Sequence, residues 1–537
     1  MITTTITSSL REALEDLGIT PQSDAINLEQ PANKEHGDWS SNIAMVTAKN
    51  AGRAPRELAT EIANKINADL PDGVENVTVA GPGFINFTLA PLWLHNVLLE
   101  ILNQGVEQFG RTDLGEGKKV NVEFVSANPT GPLHAGHARG ACYGDAVANI
   151  LGAVGFNVER EFYVNDRGIQ VSLFADSLLA RQSGDQVPEN GYGGEYVEQW
   201  AQKMPDGLSQ EEALSWGCEY AKEDQRQTLE SIGIVFDTWF SERSMVDSDA
   251  IENTIADLGE AKATYEKDGA SWLQSSQYGD DKDRVLIKSD GEFTYLTPDI
   301  AYHRDKFNRS DSLINVWGAD HHGYIARMKA AMEALGHDPD ELTVAITQLV
   351  KLVRGGEEVR LSKRHGEIIE LREIIEEIGP DATRFMYLLQ SVDTKQTFDL
   401  DLAASKVMEN PVFYVQMAHA RLRSIQSKAE TLQMWPFPIE HSDLSLLVHQ
   451  REMDLLRTLF NFTDVVQLSA RELAPHKIAT WLRELATSVH GFYHDCYVVG
   501  DGVSQELTSA RLQLVESARI GLVSGLDLLG VEAPNSM

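Results

Sequence analysis

The chain has 537 residues, room for three or four domains at about 100–200 residues each. With 42% hydrophobic and 24% charged residues its composition is that of an ordinary soluble protein. Its formal net charge of −35 argues against general nucleic-acid binding, which needs basic residues facing phosphate.

No apolar run approaches the ~18 residues of a membrane span. The start, Met1 to Leu10, lacks the basic residues and apolar core of a signal peptide. Cys142, Cys218 and Cys496 are too scattered for a disulfide framework or a cysteine zinc site. A cytoplasmic protein is expected. The acidity is uneven. Residues 185–290 hold 24 acidic and 9 basic side chains, whereas residues 400–537 hold 16 and 11, so the C-terminal third can still present a basic face.

In chain order, residues 1–110 read as a small α+β unit. Helical spacing runs through Leu10–Leu14 and from Pro55 to Leu70, where Pro55 suits a first helical turn. His36–Asn42 is a polar turn. Val77–Ala80, Gly81-Pro82-Gly83 and Phe84–Leu89 read as a β-hairpin.

Next come a short strand through Val120, Val122 and Phe124, the breaker Asn128-Pro129-Thr130-Gly131-Pro132, a helix from about Leu133 to Ala153, and a strand at Val158–Val164. Two strands bridged by a helix predict a doubly wound parallel α/β sheet, with ligands beyond the carboxyl ends of the strands. Residues 183–290 lose this period and read as a partly helical, acidic insertion. The sheet pattern is expected to return at Phe293–Asp299, with Asp299 following a strand-ending Pro298. It continues at Ser312–Trp317, a helix from Tyr324 to Leu335, and a strand from Leu342 to Val350. A basic loop follows, with Lys351, Arg354, Arg360 and Lys363 inside thirteen positions and Arg364 next. From Phe398 onward the spacing is helical: Pro411–Ala429, Leu444–Leu473, Pro475–Val498 and Gln505–Leu529. That predicts an all-α bundle with Phe413, Tyr414, Trp481, Phe492 and Tyr493 in its core.

Three groups of residues carry chemistry. His134 and His137 share one face at a helix N-terminus, a placement open to packing, metal or phosphate. Without a third ligand zinc is poorly supported, and the N–H groups of a first turn favour a polyphosphate. Gly136 between them leaves room for a flat ring against the backbone. The Ser362-Lys363-Arg364 loop offers cations for a departing pyrophosphate, or is simply a solvated turn. Glu123 and Asp299, with Tyr295, place carboxylates in a cleft otherwise suited to anions. A planar guanidinium would match them; taken singly, each reads more readily as an ordinary surface charge.

His134-Ala135-Gly136-His137 resembles the "HIGH" signature of class I aminoacyl-tRNA synthetases, and Arg360-Leu361-Ser362-Lys363-Arg364 resembles their "KMSKS" loop. The similarity is greatest to the arginyl-tRNA synthetase family and spans the chain. It includes Glu123–Pro132, Tyr295–Asp299, Gly37-Asp38-Trp39, Gly81–Asn86, and Asp381-Ala382-Thr383-Arg384, which is similar to the "DALR" tetrapeptide. Arg360 stands where that loop usually begins with lysine, and Lys351 or Arg354 are alternatives for its role.

This resemblance implies a Rossmann-like catalytic domain over 111–395 with the 183–290 insertion. It also implies an N-terminal additional domain over 1–110 that touches the outer corner of tRNA, and a helical anticodon-binding domain over 396–537. It implies ligation of L-arginine to its cognate tRNA through an arginyl-adenylate. His134, His137 and Lys363 would be catalytic. Gly136, Gly318, Asp320, Ser362 and Lys363 would bind ATP. Glu123, Asn128, Tyr295, Asp299 and His321, or His322 beside it, would hold arginine. Mg²⁺ is expected only as the ATP complex, with no protein metal site. The expected partners are tRNA, arginine and ATP, without DNA or membrane, and a monomer is expected. Another nucleotidyl transferase and a non-catalytic tRNA-binding relative are the alternatives. The helical C-terminal third opposes the first, and intact His134, His137 and Lys363 oppose the second.

Overall fold

The computed structural model describes residues 2–20, 26–29, 31, 33–359, 369–436 and 438–537, with the backbone alone for Lys34, Asp320, His322 and Glu440. Arg360, Ser362, Lys363 and Arg364 lie outside the described residues.

The N-terminal unit is a four-stranded antiparallel sheet in the order Leu28–Glu29, Trp39–Ser41, Phe84–Leu89, Val74–Ala80. Helices Ile2–Asp16, Ile43–Ala51 and Pro55–Ala68 accompany it. The first buries Ile2, Ile6, Leu10, Ala13 and Leu14, one apolar stripe at helical spacing. The Gly37-Asp38-Trp39 turn is tightly built: a Cβ on Gly37 would meet the Phe87 carbonyl at 2.6 Å. Asp38 accepts the Leu89 N–H at 2.7 Å and the Arg457 Nε–H at 2.6 Å. That carboxylate therefore joins the N-terminal unit to the C-terminal bundle.

The central unit is laid out on β1 (Lys119–Glu123), α1 (Ala135–Ala153), β2 (Asn157–Val164), β3 (Thr238–Ser241), α2 (Leu296–Arg309), β4 (Ser312–Gly318) and β5 (Leu342–Thr347). The strands are all parallel, in the order β3-β2-β1-β4-β5. Strand order reverses direction between β1 and β4, and a crevice opens at such a switch point beyond the carboxyl ends. Glu123 ends β1 and Gly318 ends β4 at this place. Residues Val120–Glu123 are all buried, because both faces of the sheet are covered.

Three expectations need correction. Residues 183–290 are not one insertion, because β3 falls inside them and forms the edge of the central sheet beside β2. With four half-buried residues it has no alternation to read. The remainder forms helices Glu195–Ala201 and Gln210–Glu230 and, after β3, a three-stranded antiparallel sheet of Thr264–Lys267, Ala270–Leu273 and Arg284–Ile287. Phe293–Asp299 is not a strand: α2 begins at Leu296, and Pro298 lies in its first turn, where a missing N–H leaves no hydrogen bond unmade. The run from Leu342 is two strands. β5 stops at Thr347, and Val350–Arg354 pairs with Glu357–Glu358 and with Gln396–Asp399 in a separate sheet.

In the bundle, helices Pro411–Thr431, His476–Asp495 and Gln505–Leu528 match the expected segments closely. Leu444–Leu473 is broken into Gln450–Phe460 and Phe462–Arg471 after a 3₁₀ turn, with His449 capping the first. Trp481 and Phe492 are buried, but Tyr493 is 44% exposed and lies on the surface. Among the described residues no helix is long and apolar enough to cross a membrane.

Candidate active site

The corner between β1 and α1 is held in an unusual backbone state. Val125 and Ser126 have φ of +69° and +45°, a region costly for side-chain-bearing residues and for β-branched valine above all. The hydroxyl of Ser126 holds this kink by donating to Glu123 Oε1 at 3.0 Å and accepting the Tyr163 N–H at 3.1 Å. Farther round, Gln225 donates from Nε2 to the carbonyls of Asn128 (3.0 Å) and Gly131 (2.9 Å), and the Tyr196 hydroxyl donates to that of Thr130 (2.9 Å). Both clamps come from the helices between β2 and β3. That acidic segment thus shapes the turn which aims the histidines.

His134 is the N-cap of α1. Its Nδ1 accepts the Gly136 N–H at 3.0 Å, and Nδ1 of His137 accepts the His134 N–H at 3.2 Å. The two rings lie 3.7 Å apart, centroid to centroid. With both Nδ1 atoms accepting, each neutral ring carries its proton on Nε2. Burial lowers both imidazoles; His137, with His134 against it, falls to about 3. Around neutral pH the corner therefore presents two uncharged Nε2–H donors at a helix N-terminus, an arrangement suited to phosphate oxygens. A Cβ on Gly136 would lie 2.8 Å from His134 Cε1, so the glycine lets the ring fold over the first turn.

The chain on the far side of the second signature returns directly to this corner. The Ala135 N–H donates to the Ile369 carbonyl at 3.0 Å and the Leu371 N–H to the Leu133 carbonyl at 2.8 Å. Of the cations leading into it, Lys351 pairs with Glu358 at 3.0 Å and Arg354 with Glu377.

The carboxylates fall into two kinds. Glu123 is buried and ion-paired, with its Oε2 2.7 Å from Nζ of the fully buried Lys306. Burial alone would raise its acid group, but the charges of Lys306 and His303 and the hydrogen bonds from Lys306 and Ser126 together hold it below the usual range. Lys306 also donates to Asn315 Oδ1 at 2.6 Å, and the Asn315 amide meets His303 Nε2 at 2.6 Å. Asp299, in contrast, accepts only the Tyr324 hydroxyl, at 2.7 Å, and among the described residues no Lys or Arg pairs with it. Burial, helped by the negative charges of Glu123 and Glu242, pushes it up to about 7. Glu242 accepts the Tyr163 hydroxyl and is likewise raised by burial. The cleft therefore holds two half-buried acid groups, Glu242 with the Arg167 charge nearby and Asp299 with no Lys or Arg paired to it among the described residues.

The other predicted residues are dispersed around this cleft. Asn128 Nδ2 donates to Gln170 Oε1 at 2.6 Å in solvent. Tyr295 is 92% exposed at the start of α2, and His321 is exposed in the 3₁₀ turn after β4, near Trp317. A Cβ on Gly318 would meet nothing within 4 Å, so β4 ends on open space. The side chains of Asp320 and His322 lie outside the described residues, as do Ser362 and Lys363. Sequence reasoning missed Glu242, Lys306, Tyr163, Tyr324 and Gln225. Lys306 was findable: His303 and Lys306 follow Asp299 by four and seven, one face of a helix, once the stretch is read as helical. Glu242 was not, because it follows the strand that carries no pattern.

Residues 4–89 match the family described as the arginyl tRNA synthetase N terminal domain. Residues 97–215 and 195–426 match the tRNA synthetases class I (R) catalytic domain, and residues 415–537 the DALR anticodon binding domain. The chain is 45% identical over 527 residues to arginine–tRNA ligase 1 of Halalkalibacterium halodurans, covering 95% of this chain and 94% of that one. It is 44% identical over 555 residues to arginine–tRNA ligase of Carboxydothermus hydrogenoformans, covering 100% and 99%. Its fold superposes on the Thermus thermophilus arginyl-tRNA synthetase structure with a TM-score of 0.79 at 23% identity, over the whole of both chains. The family-model matches along the chain and the full-length likeness to these ligases place the chain in the arginyl-tRNA synthetase family of class I aminoacyl-tRNA synthetases.

Proposed function

We propose that this protein ligates L-arginine to its cognate tRNA in two steps. In the first, the arginine carboxylate oxygen attacks the α-phosphorus of ATP; a new O–P bond forms, the α–β bridge breaks, and pyrophosphate leaves. In the second, a terminal ribose hydroxyl of tRNA attacks the arginyl carbonyl carbon and AMP departs.

The observation that supports this reading is the half-buried Asp299, without a Lys or Arg partner among the described residues, beside Glu242 in the crevice that also holds the Glu123–Lys306 pair. The guanidinium would take Asp299 and Glu242, with Tyr295 closing over it. Glu123, already paired, would offer its remaining lone pairs, and Asn128 and His321 would meet the α-amino end. The Nε2–H groups of His134 and His137 would hold phosphate oxygens as charge builds on them, and Lys363 would stabilise the pyrophosphate. Gly136 would lie under adenine, with Gly318 and Asp320 near its ribose and Ser362 in the closing loop. Mg²⁺ would arrive with ATP as part of the substrate. We assign the units 1–110, 111–395 and 396–537 to the tRNA outer corner, catalysis and the anticodon, in a monomer of the cytoplasm.

Amino-acid-dependent ATP–pyrophosphate exchange over all twenty amino acids, with and without tRNA, tests this. Exchange with arginine, in the presence of tRNA, is expected. No exchange, or exchange led by another amino acid, overturns the reading.

A further inference from the structure

Arg384, the last residue of the Asp381–Arg384 tetrapeptide, is almost completely buried, and its guanidinium reaches three separate parts of the fold. It pairs with Asp145 on α1, donates from Nε to the Leu529 carbonyl at 2.8 Å, and from Nη1 to the Ile232 carbonyl at 2.9 Å. Asp145 stands just over two turns beyond His137 on the same helix. Ile232 directly follows the helix whose Gln225 clamps the turn before His134. Leu529 follows the last helix of the bundle. Gly530 faces the guanidinium so closely that any Cβ would lie 2.2 Å from it.

The first residue of the tetrapeptide works on the same strap. Asp381 accepts the Glu532 N–H at 3.0 Å and the Gln416 Nε2–H at 2.7 Å. Gln416 in turn donates to the Glu532 carbonyl at 2.9 Å, and His419 Nδ1 meets that of Pro534 at 2.8 Å. Gln416 and His419 belong to the helix Pro411–Thr431, whose other side carries Arg421 over the Tyr493 ring (5.0 Å) and Lys428 over the Tyr497 ring (5.2 Å). Tyr493 and Tyr497 are 44% and 56% exposed. Exposed cation–aromatic pairs of this kind suit stacked bases and phosphate. One helix thus has an outer face fit for RNA and an inner face bonded to the strap 529–534.

We infer that Arg384 is a positioning residue for the ligation reaction. It transmits the placement of helix Pro411–Thr431, through segment 529–534 and Asp145, to the histidine-bearing helix α1. Coupling of this sort needs a contiguous set of packed and hydrogen-bonded groups, and these contacts supply one. The inference rests on the tRNA-ligation reading.

The test uses the full-length enzyme with tRNA, comparing wild type, Gln416→Ala, Arg384→Lys, Asp145→Asn and the Gln416→Ala/Asp145→Asn pair. Failure of the wild type to charge tRNA with arginine would fault the ligation reading itself. Given a charging wild type, Gln416→Ala should lower kcat for arginylation about fivefold or more. Its tRNA Kd, its KM for ATP and arginine, and its Tm should stay close to wild type. Arg384→Lys should lower kcat further, and the Gln416–Asp145 pair should lose no more than Asp145→Asn alone, because both act on one route. Wild-type kcat in Gln416→Ala, or losses that multiply in the pair, overturns the coupling. Should Arg384→Lys not fold, the Gln416–Asp145 cycle decides by itself.

Discussion

Lys306 Nζ lies 2.7 Å from Glu123 Oε2 with both side chains out of solvent, so one strand-end carboxylate is neutralised from the last turn of α2. Removing only one member of such a pair leaves a lone buried charge. Lys306→Met should therefore destabilise the protein by about 3–5 kcal/mol. Glu123→Gln added to it should recover most of that loss, since neither charge is then unpaired. Arginine binding should not recover. Chemical denaturation and arginine KM, measured on both variants, check this; a double variant no more stable than Lys306→Met would show that the pair is not the source of the loss.

Asp299, with no Lys or Arg paired to it among the described residues, should make arginine affinity depend on pH. Arginine keeps its guanidinium charge throughout, while Asp299 in the empty site titrates at about 7. Its proton must leave before it can pair, so KM for arginine should fall about tenfold from pH 6 to pH 8 and then level. Stability carries the opposite sign. The folded state holds this proton to higher pH than the unfolded chain does, so the contribution of Asp299 to stability declines from about pH 4 to about pH 7 and is constant above. Asp299→Asn removes the titration. Its Tm advantage over wild type should grow through that window, in the absence of arginine, while its arginine KM becomes pH-independent and at least about 10²-fold higher.

The histidine corner makes a different prediction, because burial lowers both of its rings. His137 falls to about 3 and its donor is Nε2–H, so the His137 ring should leave no titration in kcat between about pH 5.5 and pH 8. Glutamine can place an amide N–H near the position of Nε2, whereas asparagine places one near Nδ1. His137→Gln should retain more pyrophosphate exchange than His137→Asn, and His137→Ala should lose about 10²–10³-fold in kcat. His137→Asn retaining as much exchange as His137→Gln or more would mean that the ring serves only to cap α1 through Nδ1.

How much of this was readable beforehand follows the strength of each local signal. α1 was legible because an Ala-rich run follows a Gly/Pro breaker, although the helix is buried on nearly every side; the bundle helices were legible from their long helical spacing. The hairpin at Gly81–Gly83 was legible because its turn chemistry is local. β3 was invisible, since an edge strand of four half-buried residues has no alternation, and Glu242 was lost with it. α2 was misread because Pro298 looked like a terminator, although a first helical turn tolerates it. The clamps of Gln225 and Tyr196 on the signature turn join residues 66 to 97 positions apart, and no spacing rule reports contacts at that range.

Glu242 offers a test of specificity that separates charge from shape. Citrulline has the outline of arginine with a neutral urea in place of the guanidinium. On the proposed reading, a site with two half-buried acid groups should reject it, because the neutral urea offers Asp299 and Glu242 no counter-charge. Glu242→Gln replaces one acid group by a neutral amide of the same size, which still accepts the Tyr163 hydroxyl. Arginine activation should drop by about 10²-fold in kcat/KM, with KM for ATP unchanged. Citrulline, meanwhile, should inhibit the variant more strongly than the wild type. Arginine kcat/KM within about twofold of wild type would remove Glu242 from the pocket and leave Asp299 as the lone partner of the guanidinium.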